Sequence, residues 1–307
     1  MRDIFIKNIF ERAKNDRNII LITGDLGFGV LNEFSNKLPE QFINAGVAEQ
    51  NMTGMAAGMA LDGRLPFTYS IGNFPTLRCL EQIRNDILYH ELPVTIIAVG
   101  GGFSYGQLGM SHHATEDIGI LRPLPGLRIF APSDDLEAMA IANFVVSNPA
   151  PTYIRLDKSK LADQSDAPFI SGALRKLRSG SRVLIIGYGG VLQEAILAAN
   201  RLEYDNISCA IYSSHTLKPF DSTSFINIAK CFDTIVTLEE HSIIGGLASI
   251  VSETFVRNSY IPTYYLPIAL QDQFCSVVGT QEYLRKVNRL DADSIYSRVT
   301  ELLVGKI

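Results

Sequence analysis

Three stretches of this 307-residue sequence carry side chains whose types and spacing could do chemistry. The first is NAGVAEQNMTGMAAGMALDG, residues 44–63. It reads as a strand end, a turn and a helix, with Ala48, Gly54, Ala57, Gly58 and Ala60 permitting close packing. Glu49 falls in the first helical turn, where the helix macrodipole favours a carboxylate. It is either an ordinary N-terminal helix glutamate or an acid–base group. The second is FTYSIGNFPTLRCLEQIRND, residues 67–86, where Phe67, Tyr69 and Phe74 precede a helix carrying Arg78, Glu81, Gln82, Arg84 and Asp86. Aromatics at such a strand-to-helix switch are either core or a platform for a heterocycle. The third is VGGGFSYGQLGMSHHATEDIG, residues 99–119, where Gly100, Gly101, Gly102, Gly106 and Gly109 lead to the adjacent histidines His112 and His113. A glycine loop with paired histidines makes a poor core segment. It is either a solvated loop or a site loop of the kind that sits above a parallel sheet. Adjacent side chains diverge, so the pair does not read as a shared metal site.

The elements that must hold these stretches alternate. IILIT (19–23), PVTIIAV (93–99), LRIFA (127–131) and TYIRL (152–156) read as buried strands, and 48–62, 73–90 and 133–147 as helices. Such alternation implies parallel strands joined by crossover helices. Residues 157–180 turn polar and lose any sustained period, which marks a linker, set at 161–177. A second series follows: strands at 182–189, 207–213 and 234–240, and helices from Val191 to Leu202, at 244–257, near 280–287 and at 293–304, the last with Asp291 or Asp293 as N-cap. The expectation is an α/β protein of two doubly wound domains, 1–160 and 178–307, with sites at the carboxyl ends of the strands.

Composition narrows the function classes. Net charge is −5, from 27 Lys and Arg against 32 Asp and Glu, with signs mixed throughout and no basic stripe for nucleic acid. No apolar run approaches the ~18 residues of a membrane span. The N-terminal MRDIFIKNIFERAKNDRN is an amphipathic helix pattern without the features of a signal peptide. Cys79, Cys209, Cys231 and Cys275 are widely separated and read as reduced thiols in a cytoplasmic protein.

Taken together, the motifs resemble the transketolase family, including 1-deoxyxylulose-5-phosphate synthases. AEQN around Glu49, the aromatic segment through Phe74, GMSHH (109–113), APSD (131–134), Arg155 in TYIRLD, LKPFD (217–221) and LEEHSIIGG (238–246) fall in that family's order. The resemblance spans essentially the whole chain and implies a thiamine-diphosphate pyrimidine-binding domain followed by a transketolase C-terminal domain. It implies thiamine diphosphate as cofactor, with Glu49 sharing a proton with the pyrimidine ring and Tyr69, Phe74 and Arg78 completing the cofactor contacts. It makes His112, with His113 beside it, and Arg155 the substrate-binding residues, His112 being catalytic together with Glu49.

The family's diphosphate motif, Gly-Asp-Gly followed downstream by Asn, has no counterpart. GDL at 24–26 precedes Asn51, but its third residue is Leu26 and it falls at the start of the pyrimidine domain. The expectation is therefore a split enzyme. A separate N-terminal-type subunit binds the diphosphate and Mg2+ or a similar divalent cation, this chain holds no metal, and the assembly is α2β2 around a homodimeric core. The substrates are small sugars, with neither nucleic acid nor membrane involved. Two positions depart from the family pattern: Leu108 stands where an acidic residue precedes the histidine, and a basic phosphate ligand falls at Gly100 to Gly102. The competing readings are the beta subunit of a 2-oxo acid dehydrogenase first component and a non-catalytic scaffold subunit. The SHHATEDI and LEEHSIIGG segments favour transketolase over the first, and joint retention of Glu49, Phe74 and His112 opposes the second.

Overall fold

The structure is a computed structural model that describes residues 1–162 and 168–305. Its strands are β1 (Ile19–Thr23), β2 (Phe42–Asn44), β3 (Leu65–Ile71), β4 (Thr95–Val99), β5 (Arg128–Phe130), β6 (Thr152–Leu156), β7 (Arg175–Arg178), β8 (Val183–Gly187), β9 (Cys209–Ser213), β10 (Thr216–Lys218), β11 (Thr234–Ser242) and β12 (Tyr264–Leu270). Its helices are α1 (Arg2–Ala13), α2 (Asn32–Lys37), α3 (Glu49–Leu61), α4 (Leu80–Gln82), α5 (Asp117–Leu121), α6 (Asp135–Ser147), α7 (Leu192–Tyr204), α8 (Ser222–Ala229), α9 (Leu247–Arg257), α10 (Gln281–Val287) and α11 (Ala292–Leu303).

The strands form two sheets, in the orders β10-β5-β6-β4-β3-β1-β2 and β12-β11-β8-β9-β7. Every pairing is parallel except β10 with β5 and β7 with β9, each at a sheet edge. The continuous apolar runs of β1, β4 and β6 are buried along their whole length because helices cover both faces. In β1 the two faces separate by parity. Ile19 and Leu21 pack with Phe5, Ile9 and Phe10 of α1, while Ile20 and Ile22 pack with Met52, Ala56 and Ala57 of α3. Gly54 and Gly58 of α3 face open space, so the close packing expected of that helix comes from Ala56, Ala57 and Ala60, with Met52, and not from these glycines.

The two α/β units share their core. One apolar cluster joins Ile118 and Leu121 of α5 to Tyr188, Leu217, Phe225 and Leu247 from the second half. The short β10 leaves the second series to complete the edge of the first sheet. The linker expected over 161–177 partly lies outside the described residues, and its end is strand β7. The helix expected over 73–90 is shorter. Residues 73–79 form turns, α4 begins at Leu80, and the chain continues as a π-helical segment over Ile83–Leu88.

Candidate active site

The carboxyl ends of β1 and β3 converge on Glu49. This residue opens α3, and only 1% of it is exposed. Gly24, just past β1, packs against it; a Cβ there would lie 3.3 Å from Glu49 Oε1, a tight contact. Ser70, on β3, donates its hydroxyl to Oε1 at 3.2 Å. Arg78 donates from Nη1 to Oε2 at 2.5 Å. A carboxylate has about four lone-pair positions, so these two donors leave it able to accept again.

Arg78 also faces Phe74, its guanidinium carbon 5.0 Å from the ring centroid. Phe74 in turn meets His112 edge-on, with centroids 5.2 Å apart and planes at 75°. His112 Nδ1 lies 3.0 Å from the Ser111 hydroxyl. Asn73 ties the two segments together by donating to the His113 carbonyl, and at 3.5 Å to the Ser111 carbonyl. The Asn73 Oδ1 is buried without a partner. Glu49, Arg78, Phe74 and His112, singled out from separate sequence stretches, thus form one continuous line of contacts.

Three expected residues stand elsewhere. Tyr69 neighbours Ser70 on a strand, so it projects to the opposite face, into the cluster with Phe5, Ile9 and Phe34 beneath α1. Burial pushes its hydroxyl well above the usual tyrosine range. It does not join Glu49. His113 is buried, edge-on to Phe103 at 5.0 Å, with Nε2 3.5 Å from the Gly106 carbonyl. Burial lowers its pKa.

Arg155 is the third, and it lies buried where β6 meets the second unit. Nε donates to Asp117 at 3.1 Å, and Nη2 donates to the carbonyls of Ala114 and Glu240, both at 2.9 Å. Nη1 lies 3.6 Å from Asp157. Burial opposes its charge, but the carboxylates of Asp117 and Asp157 more than offset this and hold it protonated. Its donors face protein groups, so this geometry does not present the fork to a sugar phosphate.

Sequence reasoning passed over Gly24, Ser70 and Asn73. Ser70 was accessible through the strand period, because it alternates with Tyr69. Asn73 adjoins Phe74 but gives no signal of its cross-link to the histidine loop. Among the described residues, no group of three or more His, Cys, Asp or Glu could hold a metal ion. No described helix is long and apolar enough to cross a membrane.

Comparison with known proteins identifies the family. The family descriptions "Transketolase, pyrimidine binding domain" and "Transketolase, C-terminal domain" match residues 1–164 and 172–295. The chain is 32% identical to the 6-deoxy-6-sulfo-D-fructose transketolase subunit SqwH of Clostridium sp. (strain MSTE9), covering 100% of this chain and 95% of that one. It is 29% identical to an apulose-4-phosphate transketolase subunit of Actinobacillus succinogenes, covering 96% of each. It also superposes on a split gene transketolase solved as an inactive beta4 tetramer, with a TM-score of 0.86 and 31% identity, covering 100% of this chain and 98% of that chain. The chain belongs to the transketolase family, as the half that carries its pyrimidine-binding and C-terminal domains.

Proposed function

We propose that this chain is the pyrimidine-side subunit of a two-component transketolase that moves a two-carbon ketol unit between sugars in the cytoplasm. Family membership implies dependence on thiamine diphosphate and a divalent cation. The supporting observation is the buried Glu49 carboxylate, held by Ser70 and Arg78 beside Phe74 and His112. These residues fit the cofactor's aminopyrimidine: a carboxylate with acceptor positions to spare beside an aromatic face. When bound, thiamine diphosphate supplies the carbon nucleophile that carries the two-carbon unit.

The chain's own groups have separate tasks. Glu49 holds a proton at its carboxylate for exchange with a ring nitrogen. Arg78 and Ser70 fix that carboxylate's orientation. Phe74 offers a face for the heterocycle and excludes water from it. His112, partly exposed at the outer end of the contact line, donates or accepts a proton at the sugar's oxygen atoms. The diphosphate and the cation fall to the partner subunit, in an α2β2 assembly. Exposed apolar side chains at Val47, Leu77, Leu108 and Met110, next to the site residues in sequence, suit burial beneath that partner. Isothermal titration tests the division of labour. This chain alone should bind thiamine diphosphate with Mg2+ weakly or not at all, and the mixture with the diphosphate-binding subunit should bind it. Micromolar binding by this chain alone refutes the split.

A further inference from the structure

The segment LEEHSIIGG lies on β11 and the turn that follows, in the second unit, away from the Glu49 line of contacts. Its side chains nevertheless reach the first unit. Glu240 is buried, and its Oε1 accepts the backbone N–H of Phe103 at 2.5 Å and the Gln281 amide at 2.9 Å. Its Oε2 accepts from Arg285 Nε at 2.5 Å, and Arg285 continues to Ser159 at 2.9 Å. Gly102 admits this carboxylate. It stands at φ +58°, and a Cβ there would fall 2.3 Å from Glu240 Oε1.

Phe103 begins the loop that ends at His112. The base of that loop is closed by paired hydrogen bonds between Gly102 and Ala114, at 2.8 and 3.0 Å. Its middle rests on the second unit as well. Gly279 N–H donates to the Gly106 carbonyl at 3.3 Å, and a Cβ on Gly106 would come within 2.5 Å of Leu284 Cδ1. Beside these, His241 Nε2 accepts the Gly119 N–H at 3.1 Å. Beyond Leu108 the loop carries only its own short-range bonds and the Asn73 cross-link. A glycine-rich loop is otherwise free to adopt many conformations, so its bonds to the second unit, together with the Asn73 cross-link, set where His112 stands.

We propose that Glu240 is a positioning residue, which fixes through the Phe103 amide the loop that presents His112 opposite Phe74. The second unit then acts in the reaction by holding this loop, without touching substrate. The functional half of the statement rests on the proposed role of His112; the structural half does not.

Two measurements on Glu240→Gln in the full chain decide it. The Gln side chain keeps one acceptor but turns a donor toward either Phe103 N–H or Arg285. In hydrogen–deuterium exchange, amides of residues 103–112 should exchange at least about tenfold faster, while β3 and β4 keep wild-type rates. No change, or an equal rise throughout, overturns the proposal. In the complex with the diphosphate-binding subunit, xylulose 5-phosphate and ribose 5-phosphate serve as probes. Glu240→Gln should lower kcat/KM about tenfold, and combining it with His112→Ala should cost no more than His112→Ala alone. Losses that multiply independently overturn the positioning role. If His112→Ala leaves kcat/KM unchanged, the reading of His112 has failed, and the exchange measurement alone decides the clamp. If Glu240→Gln does not fold, Leu284→Ala, which loosens the support under Gly106, carries the same pair of measurements.

Discussion

Arg78 sits 2.5 Å from Glu49 and 5.0 Å from the Phe74 ring, so one guanidinium links the buried carboxylate to the aromatic face beside it. The orientation of Glu49 and the packing of Phe74 therefore depend on a common neighbour. Glu49→Gln keeps the shape of the side chain and removes the proton-sharing carboxylate. Cofactor activation in the reconstituted enzyme should fall by ~10² or more, the range for a lost acid–base group. Thiazolium deuterium exchange, followed by NMR on a variant that still assembles, measures this directly. Exchange at the wild-type rate would show that Glu49 shares no proton with the cofactor.

Phe74 is partly exposed, and its ring contacts are Arg78 and His112 rather than the apolar core. Phe74→Ala should therefore weaken thiamine diphosphate binding by about 1 kcal/mol beyond the burial loss. The melting temperature of the chain alone should barely move. A large drop in melting temperature with unchanged cofactor affinity would make the ring structural.

Arg155 predicts the opposite pattern. Asp117 and Asp157 flank it in the interior, and burial already pushes the Asp157 carboxyl up to about 6. Removing the cation leaves carboxylates buried without a counter-charge. Arg155→Ala should destabilise the chain by about 3–5 kcal/mol, the usual cost of breaking a buried ion pair. Urea unfolding reads this out. A variant with wild-type stability and a raised KM for a phosphorylated sugar would return Arg155 to the substrate site.

His215 controls part of the acid limb. It is fully buried against Phe169, with Nδ1 2.9 Å from the Thr216 hydroxyl and Nε2 unpartnered. Burial, aided by Arg175, lowers its pKa to about 3. The unfolded chain protonates this residue near pH 6.5, and the folded chain does not until about pH 3. Between these values the unfolded state binds more protons, so this contribution to stability is complete above pH 6.5 and is lost as pH falls. The raised carboxyls of Asp157 and Glu137 act in the reverse direction over part of the same range. The comparison must therefore be with a variant. His215→Leu should narrow the gap in unfolding free energy between pH 7 and pH 5 by about 2 kcal/mol relative to wild type. Parallel stability profiles for the two proteins would show that His215 does not titrate in this way.

What the sequence disclosed follows from how local each feature is. The strands 19–23 and 152–156 emerged with their observed bounds because each is a short buried run closed by polar residues. β7 and β10 did not, since both are short edge strands whose pairing comes from distant segments. Glu49 and Phe74 were singled out from family-like motifs, and the structure brings both against Arg78. Tyr69 was grouped with Phe74 because the aromatic segment was read without the strand parity that turns Ser70 toward Glu49 and Tyr69 toward the opposite face. The surroundings of Arg155 were hidden for a different reason. TYIRLD marks a buried strand but does not reveal that Ala114, Asp117 and Glu240 converge on its guanidinium.

Substrate choice follows from that last correction. With Arg155 committed to the interior, the chain brings no guanidinium from β6 to the histidine loop. The family resemblance puts Gly100 to Gly102 where an upstream phosphate ligand is expected, and the exposed Leu108, four residues before His112, where an acidic acceptor is expected. A charged hydrogen bond to phosphate contributes about 1.5–3 kcal/mol, or roughly ten- to a hundredfold in kcat/KM for each bond. An unpaired substrate hydroxyl costs a comparable amount. The expected acceptor therefore lacks the terminal phosphate and hydroxyl pattern of an ordinary pentose phosphate, as a modified or nucleotide-linked sugar would. In the reconstituted enzyme, with xylulose 5-phosphate as donor, kcat/KM for ribose 5-phosphate and for ribose should agree within about tenfold. A preference for the phosphorylated sugar of a hundredfold or more would mean that the partner subunit supplies the missing clamp, and the unusual acceptor would be abandoned.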